Sequence, residues 1–234
     1  MSVSTNRVLK ALLIVIVVAL AGLLYAQQRT SAPSLNDFWK GKDTRPLVDR
    51  LEEENREIYR ERVTLAAVTG PRAGSIIADL GAGSGFMVEE FSKLVGPEGK
   101  VYAVDINPEM LRRIAESSKA AGMQNVETIT CPEDSTNLPD NSVDMVFICD
   151  TYHHFENPVE TMASVHRALR PGGQLVVVDF NRVEGVSEEW MLQHVRAGKD
   201  VFLGEIEQAG FQLINEHNLP MLAENYILRF RVKK

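Results

Sequence analysis

A glycine-rich turn between a predicted strand and a predicted helix constrains this chain more than any other feature. Residues 76–80 read Ile-Ile-Ala-Asp-Leu, and they are followed by Gly81, Gly83 and Gly85. A helical pattern of apolar residues then begins at Phe86. A strand that turns this tightly into a helix needs residues without a Cβ, because these allow positive φ and close approach of a ligand to the backbone. We therefore predict a site where a nucleotide-like ligand lies against bare backbone.

The spacing of the glycines discriminates between possible ligands. The dinucleotide-binding fingerprint is G-x-G-x-x-G, but Phe86 occupies its sixth position here. No Lys-Ser/Thr pair follows, so the turn is not a P-loop. The pattern D-x-G-x-G-x-G instead resembles motif I of the class I S-adenosylmethionine (SAM)-dependent methyltransferases. The resemblance implies that the cofactor is bound by Asp79, Gly81, Ala82, Gly83 and Gly85.

An acidic residue ends the next predicted strand, which covers residues 101–105. Asp105 lies 20 residues past Gly85, the distance at which nucleotide-binding βαβ units place a ribose-binding acid. Asn107-Pro108 then begins a helix, with Asn as the N-cap and Pro in the first turn. The resemblance implies that Asp105 binds the ribose hydroxyls of SAM, with Ile106 beside it in the cofactor site.

A third predicted strand, residues 126–130, leads into a loop with two acids. In the methyltransferase family, an acid after this strand takes the adenine amino group, and Leu-Pro follows a few residues later. Counting back from Leu138-Pro139 favours Asp134 for this contact. Glu133 is the alternative, because the loop length does not fix the alignment.

The fourth predicted strand is a near-continuous apolar run, residues 142–149, as expected for a parallel strand covered on both faces. The family places substrate-facing residues directly after it. Histidine is the natural base near neutral pH. The resemblance therefore gives four candidate catalytic residues, of which the first is also a candidate cofactor contact: Asp150, Tyr152, His153 and His154.

We expect no metal site at the two adjacent histidines. Neighbouring strand or loop residues point apart, and no other cluster of metal ligands is close in sequence. His194 falls within a helix predicted over residues 187–209, where a packing or surface role is expected and lining of the same pocket is the alternative. A second charged helix is predicted from Pro46 to about residue 68, with a solvated face that carries Arg56, Arg60 and Arg62.

The remaining strands complete an α/β architecture. Residues 169–175 read Leu-Arg-Pro-Gly-Gly-Gln-Leu, a phrase that resembles the family at the start of its fifth strand. Residues 211–216 and 225–232 read as two further strands. We predict a Rossmann-like class I methyltransferase fold over residues 46–234: a seven-stranded, mostly parallel sheet with an antiparallel C-terminal strand and helices on both faces.

The predicted function is direct in-line transfer of a methyl group from SAM to a small-molecule acceptor, with S-adenosylhomocysteine as the product. A SAM-binding sensor or assembly protein without turnover is the alternative, and Phe86 argues against a nicotinamide-dependent oxidoreductase. The net charge is −7 and no basic cluster is present, so a nucleic-acid partner is not expected.

The N-terminal segment is expected to lie outside this fold. Arg7 and Lys10 precede an apolar run over residues 11–24 that has the proportions of a signal peptide. Residues 1–26 are therefore either a cleaved signal peptide or an uncleaved membrane anchor, and residues 27–45 a linker. The positive-inside rule keeps the N-terminus cytoplasmic, which predicts a membrane-associated or exported protein.

Overall fold

The computed structural model describes residues 36–233. The predicted signal or anchor segment, residues 1–26, and the first part of the predicted linker lie outside the described residues. Among the helices of residues 36–233, none is both long enough and apolar enough to span a bilayer.

The described residues form seven strands and eight α-helices. The strands are β1 (Ile76–Leu80), β2 (Lys100–Asp105), β3 (Val126–Thr130), β4 (Val143–Cys149), β5 (Leu169–Phe180), β6 (Phe211–His217) and β7 (Asn225–Val232). The helices are α1 (Arg45–Leu51), α2 (Glu57–Arg60), α3 (Arg62–Thr69), α4 (Phe86–Val95), α5 (Pro108–Ala120), α6 (Pro158–Ala168), α7 (Glu189–His194) and α8 (Lys199–Gln208). Short 3₁₀ helices cover Asp37–Lys40 and Tyr152–His154.

The strands make one sheet in the order β3-β2-β1-β4-β5-β7-β6. Strands β1 to β5 pair in parallel, and β7 runs antiparallel to both β5 and β6. The predicted fold is confirmed. Strand order reverses between β1 and β4, so a crevice opens there at the carboxyl ends of the strands, the usual ligand position in such sheets.

Two apolar clusters cover the two faces of the sheet, which explains the unbroken apolar sequence of the central strands. In β4, Val146 and Ile148 face one cluster while Phe147 faces the other, and all three are fully buried. Burial of each such side chain stabilises the fold by roughly 1.5–3 kcal/mol. The core therefore fixes the strand ends from which the candidate site residues extend.

Two helices that were predicted as continuous are broken. The segment after Pro46 forms α1, α2 and α3, and the segment after Ser187 forms α7 and α8 with a gap before Gly198. The backbone at Gly198 is extended, with φ −81° and ψ 169°, and a Cβ there would lie 3.1 Å from the carbonyl oxygen of Arg182. The second break leaves His194 as the last residue of α7.

The first break is fixed by contacts across the molecule. The Glu57 carboxylate, at the start of α2, is buried and accepts hydrogen bonds of 2.6–2.8 Å from the backbone N–H groups of Ala223, Glu224 and Asn225. These residues lead into β7. The α1–α3 segment is thereby fastened over the carboxyl edge of the sheet.

Candidate active site

The glycine turn after β1 has the predicted backbone. Gly81, Gly83 and Gly85 have φ of +79°, +54° and +89°. Packing also requires glycine, because a Cβ on Gly81 would lie 2.3 Å from the side chain of Thr151 and one on Gly85 would lie 2.8 Å from that of Ile114. The turn therefore touches the segment that follows β4.

Asp105 holds this turn in place. Its Oδ2 accepts a hydrogen bond from the Gly83 N–H at 2.8 Å, and its Oδ1 accepts one from the Asn107 N–H at 2.8 Å. Burial raises the pKa of Asp105, and the hydrogen bonds from Asn107 and Gly83 oppose that rise. A carboxylate offers roughly four acceptor positions. The positions that backbone N–H groups do not fill remain for ligand hydroxyl groups.

Asp79 is the penultimate residue of β1, just before the turn, and is also buried. Within residues 36–233 its Oδ2 has no hydrogen-bond partner. Burial, together with the charge of Asp105, raises the pKa of Asp79 to about 8. An unsatisfied buried acceptor is costly, so a ligand that brings a cationic or N–H group here gains a strong contact. The amino-acid moiety of SAM carries such a group, and the residues present fit this cofactor.

The other predicted cofactor residues surround this pair. Ala82 is buried within the turn, and Ile106 is half-buried against the core. The loop after β3 begins beside β2, since the Cys131 N–H donates to the Asp105 carbonyl at 3.0 Å. In that loop Glu133 is partly buried and lies 2.5 Å from Lys40 Nζ, while Asp134 is exposed.

Asp150 follows β4 in an uncommon backbone conformation, with φ of +44°. Its carboxylate accepts hydrogen bonds from Arg56 Nη2 at 2.8 Å and from Asn225 Nδ2 at 2.6 Å. Burial raises the pKa of Asp150 to about 6, with Arg56 opposing the rise. Arg56 was expected on a solvated helix face; it instead pairs with this carboxylate, and its side chain is 20% exposed.

His153 is buried and is oriented by Asp179, the acid near the end of β5. Asp179 accepts from the His153 backbone N–H at 3.1 Å and lies 2.7 Å from Nδ1 of the ring. Burial alone would lower the pKa of His153, but the Asp179 carboxylate outweighs it and the pKa is raised. An ionised carboxylate only accepts, so Nδ1 carries the proton and Nε2 is directed away from Asp179.

Asp179 was not among the predicted site residues. Its signal in the sequence was an acid that ends an apolar strand, as Asp79 and Asp105 do. Its partner His153 is 26 positions away in the chain, and only the parallel pairing of β4 with β5 brings the two together.

His154 and His194 complete a cluster around His153. Ring centroids are 4.2 Å apart for His153 and His154, and 4.9 Å and 5.0 Å from these rings to that of His194. Burial and the neighbouring His153 lower the pKa of His154 to about 2 and that of His194 to about 4. The adjacent imidazoles therefore do not point apart as expected, because they lie on a 3₁₀ helix, and His194 is not an isolated surface residue.

Tyr152 lies elsewhere, although it precedes these histidines. Its side chain is fully buried in the core, and its hydroxyl donates to Glu205 Oε2 at 3.1 Å. Burial raises the pKa of Tyr152, and Glu205 adds to the rise. Tyr152 is therefore a core residue and does not line the cleft.

The histidine cluster opens into a cleft of about 360 Å³. Its walls come from α1, α2, α7 and the ends of β4 and β5. Among its lining residues are Trp39, Arg50, Arg56, Asp150, His153 and His194. A cavity of this size accommodates a small organic molecule.

Comparison with known proteins agrees with this geometry. Residues 78–177 match the family described as "Methyltransferase domain". A ubiquinone/menaquinone biosynthesis C-methyltransferase, UbiE, from Hahella chejuensis is 35% identical over 115 residues, which are 49% of this chain and 46% of the relative. The matched segment thus spans about half the length of this curated relative.

Solved structures extend the likeness to most of the described chain. A SAM-dependent methyltransferase from Aquifex aeolicus is 26% identical with a TM-score of 0.69, covering 78% of this chain and 95% of its own. The [4+2]-cyclase SpnF is 16% identical with a TM-score of 0.63, covering 73% and 79%, and shows the fold alone. Residues 78–177 therefore match a methyltransferase domain, the described chain has the fold of SAM-dependent methyltransferases, and this likeness indicates S-adenosylmethionine as the cofactor.

Proposed function

We propose that the protein transfers the methyl group of SAM to a small molecule bound in the histidine-lined cleft. The observation that carries this proposal is the contact between the cofactor turn and the cleft. Thr151 packs on Gly81, and His153 and His154, two and three residues further along the chain, line the cleft. The two ligands would therefore meet at the switch point of the sheet.

In this proposal Asp105 binds the ribose hydroxyls, the turn from Asp79 to Gly85 binds the amino-acid moiety, and Glu133 or Asp134 binds the adenine. SAM supplies a methyl group on an already activated sulfonium. The protein's contribution is then mainly to align the two reactants.

His153 is the candidate base where the acceptor carries a proton. Its Nδ1 is held by Asp179, so Nε2 is the nitrogen available for proton transfer. Asp150 and His154 are candidate acceptor contacts, since both line the same cleft. Tyr152 is left out because its hydroxyl is bonded to Glu205.

The acceptor class is proposed from the cleft and the relatives together. A cleft of about 360 Å³ limits the acceptor to a small molecule or one end of a larger one. The Hahella chejuensis relative is named for ubiquinone/menaquinone biosynthesis. Hydroxylated aromatic compounds of the quinol type are therefore the first acceptors to test.

The test combines cofactor binding with turnover. Calorimetry should show one SAM per chain, and Asp105→Ala should weaken SAM binding by about 10- to 100-fold, as loss of two hydrogen bonds to a charged group predicts. Asp140→Ala is the control, because Asp140 is an exposed acid. Formation of S-adenosylhomocysteine with a quinol-type panel would support methyl transfer.

Two outcomes contradict the proposal. Unchanged SAM affinity in a folded Asp105→Ala protein would refute the ribose assignment. Tight SAM binding without S-adenosylhomocysteine formation across a broad panel of small acceptors would favour the SAM-binding sensor or assembly protein.

A further inference from the structure

We propose that His153, His154 and His194 form a binding site for one divalent transition-metal ion, with Zn²⁺ as the best match. The inference goes beyond methyl transfer and does not depend on it. Each of the three side chains offers one ring nitrogen, and the three nitrogens lie within 4.8 Å of one another.

The distances suit a tetrahedral ion. Zn–N bonds of about 2.0–2.1 Å place two tetrahedral ligand nitrogens roughly 3.3 Å apart. The Nε2 atoms of His153 and His194 are 3.2 Å apart. The ligand nitrogens lie at most 4.8 Å apart, so the widest separation would have to shorten by roughly 1.5 Å or less to reach this spacing.

A second observation shows that the cluster is supported as metal sites are. Metal-binding histidines almost always donate their other ring N–H to a carboxylate or carbonyl, which fixes the tautomer and the ring orientation. The fully buried Asp179 accepts a hydrogen bond from the Nδ1–H of His153 at 2.7 Å. The Nε2 lone pair of His153 is therefore directed toward His194, as a metal ligand requires.

The charges around the cluster are balanced. Asp179 and Asp150 attract a cation, whereas Arg50 and Arg196 repel one. Zinc binds imidazole in its neutral form, so binding of the ion releases any proton that the cluster carries.

Three protein ligands leave one position of a tetrahedral ion open. Three-histidine sites with an open position are typical of catalytic zinc, where the ion takes a water or a substrate oxygen. All three histidines line the cleft, so the open position would take water or an anionic oxygen of a bound molecule. If methyl transfer occurs here, the ion would acidify an acceptor hydroxyl bound to it. This would take the place of proton transfer to His153 Nε2, because the ion then occupies that nitrogen.

The test measures Zn²⁺ binding by the full chain directly, after removal of metal with a chelator. Titration against a chromophoric competitor should show one high-affinity Zn²⁺ per chain, and Co²⁺ should give a tetrahedral absorption spectrum. His194→Ala should weaken Zn²⁺ binding by at least 100-fold. Asp179→Asn should weaken it by about 10- to 100-fold through the lost support of His153.

The chain contains matched controls, because its two other histidines, His166 and His217, lie outside the cluster. His166→Ala and His217→Ala should leave Zn²⁺ affinity unchanged. Equal affinity in His194→Ala and in these controls would overturn the proposal, as would the absence of stoichiometric Zn²⁺ in the folded wild-type protein. SAM binding is measured separately on each variant. A variant that loses Zn²⁺ but still binds SAM shows that the cofactor site is intact.

Discussion

At the scale of single residues, the site depends on buried acids that end parallel strands. Asp79, Asp105 and Asp179 lie at or next to the last residues of β1, β2 and β5, and each is at most 8% exposed. Asp105 and Asp179 have N–H partners that compensate for burial, whereas Asp79 keeps an unpaired oxygen. Among these three acids, Asp79 should therefore gain the most stabilisation from a new hydrogen bond when a ligand binds.

Asp79→Asn should stabilise the free protein while weakening SAM binding. The pKa of Asp79 is raised to about 8 on folding, so the native state holds a proton that the unfolded state has lost. Its contribution to the free energy of unfolding therefore falls as pH rises from about 4 to 8. Asp79→Asn has no carboxylate to titrate and so does not lose this stability. We expect its free energy of unfolding to exceed that of the wild-type protein by about 1–3 kcal/mol near pH 8.

Chemical denaturation of both proteins at pH 5 and pH 8 measures this difference, and a gain that is equal at the two pH values would contradict the assignment. Calorimetry of SAM binding in buffers of different ionisation enthalpy gives an independent readout. The wild-type protein should release a proton near pH 7, because a cationic ligand lowers the pKa of Asp79, and Asp79→Asn should not.

At the scale of elements, the segment from α1 to α3 covers the cleft. Sequence periodicity predicted it as one helix, and the error has a physical cause. Local propensity predicts a helix correctly only where no stronger tertiary contact opposes it. Here the Glu57 carboxylate accepts hydrogen bonds from three backbone N–H groups that are 166–168 positions away in the chain. The same limit applies to α7 and α8, where only Gly198 hinted at the break.

Elements with local signals were predicted well. The turn after β1 needs residues without a Cβ, and α5 begins at an Asn107 whose side chain accepts from the N–H groups of Glu109 and Met110. Such features depend on neighbours in the chain. The histidine cluster depends on strand pairing and on the α7 break, so sequence spacing could not reveal it.

Arg56→Ala should destabilise the fold by about 3 kcal/mol. The change removes the cation from a carboxylate that is only 7% exposed and leaves Asp150 with its Asn225 contact. Arg60→Ala is the matched control, since Arg60 is 46% exposed and pairs only with the adjacent Glu61 among the described ion pairs; its cost should be at most about 1 kcal/mol. Thermal and urea unfolding measure both variants.

A double-mutant cycle with Asp150→Asn separates the ion pair from packing of the Arg56 stem. The effect of Arg56→Ala should shrink by more than half when Asp150 is already neutral. An undiminished effect would mean that the arginine acts through its 2.5 Å hydrogen bond to the Leu51 carbonyl.

At the scale of the whole molecule, the seven-stranded, mostly parallel sheet and the position of the cofactor turn were predicted from the sequence. Apolar runs lead into acids at Asp79, Asp105 and Asp150, and parallel pairing of the strands places these acids at one edge of the sheet. The N-terminal segment lies outside the described residues and stays a prediction. Its basic residues and apolar run still indicate membrane targeting.

We predict that the full-length protein is recovered with membranes and that a protein lacking residues 1–26 is soluble and binds SAM. The fourteen apolar residues from 11 to 24 supply the membrane affinity. Cell fractionation checks location, and the mass of the mature N-terminus separates a cleaved signal from an anchor. A full-length chain that stays in the soluble cytoplasmic fraction with its N-terminus intact would contradict the prediction.

Arg56 and Glu57 are neighbours in the chain, yet one holds the end of β4 through Asp150 and the other holds the approach to β7. Because neighbouring residues of one segment make both contacts, we expect the α1–α3 segment to detach from β4 and from β7 together. We therefore expect the α1–α3 segment to open as one cooperative event. The residence time of a molecule in the cleft should then depend more on how often this segment opens than on the strength of the contacts that the molecule makes.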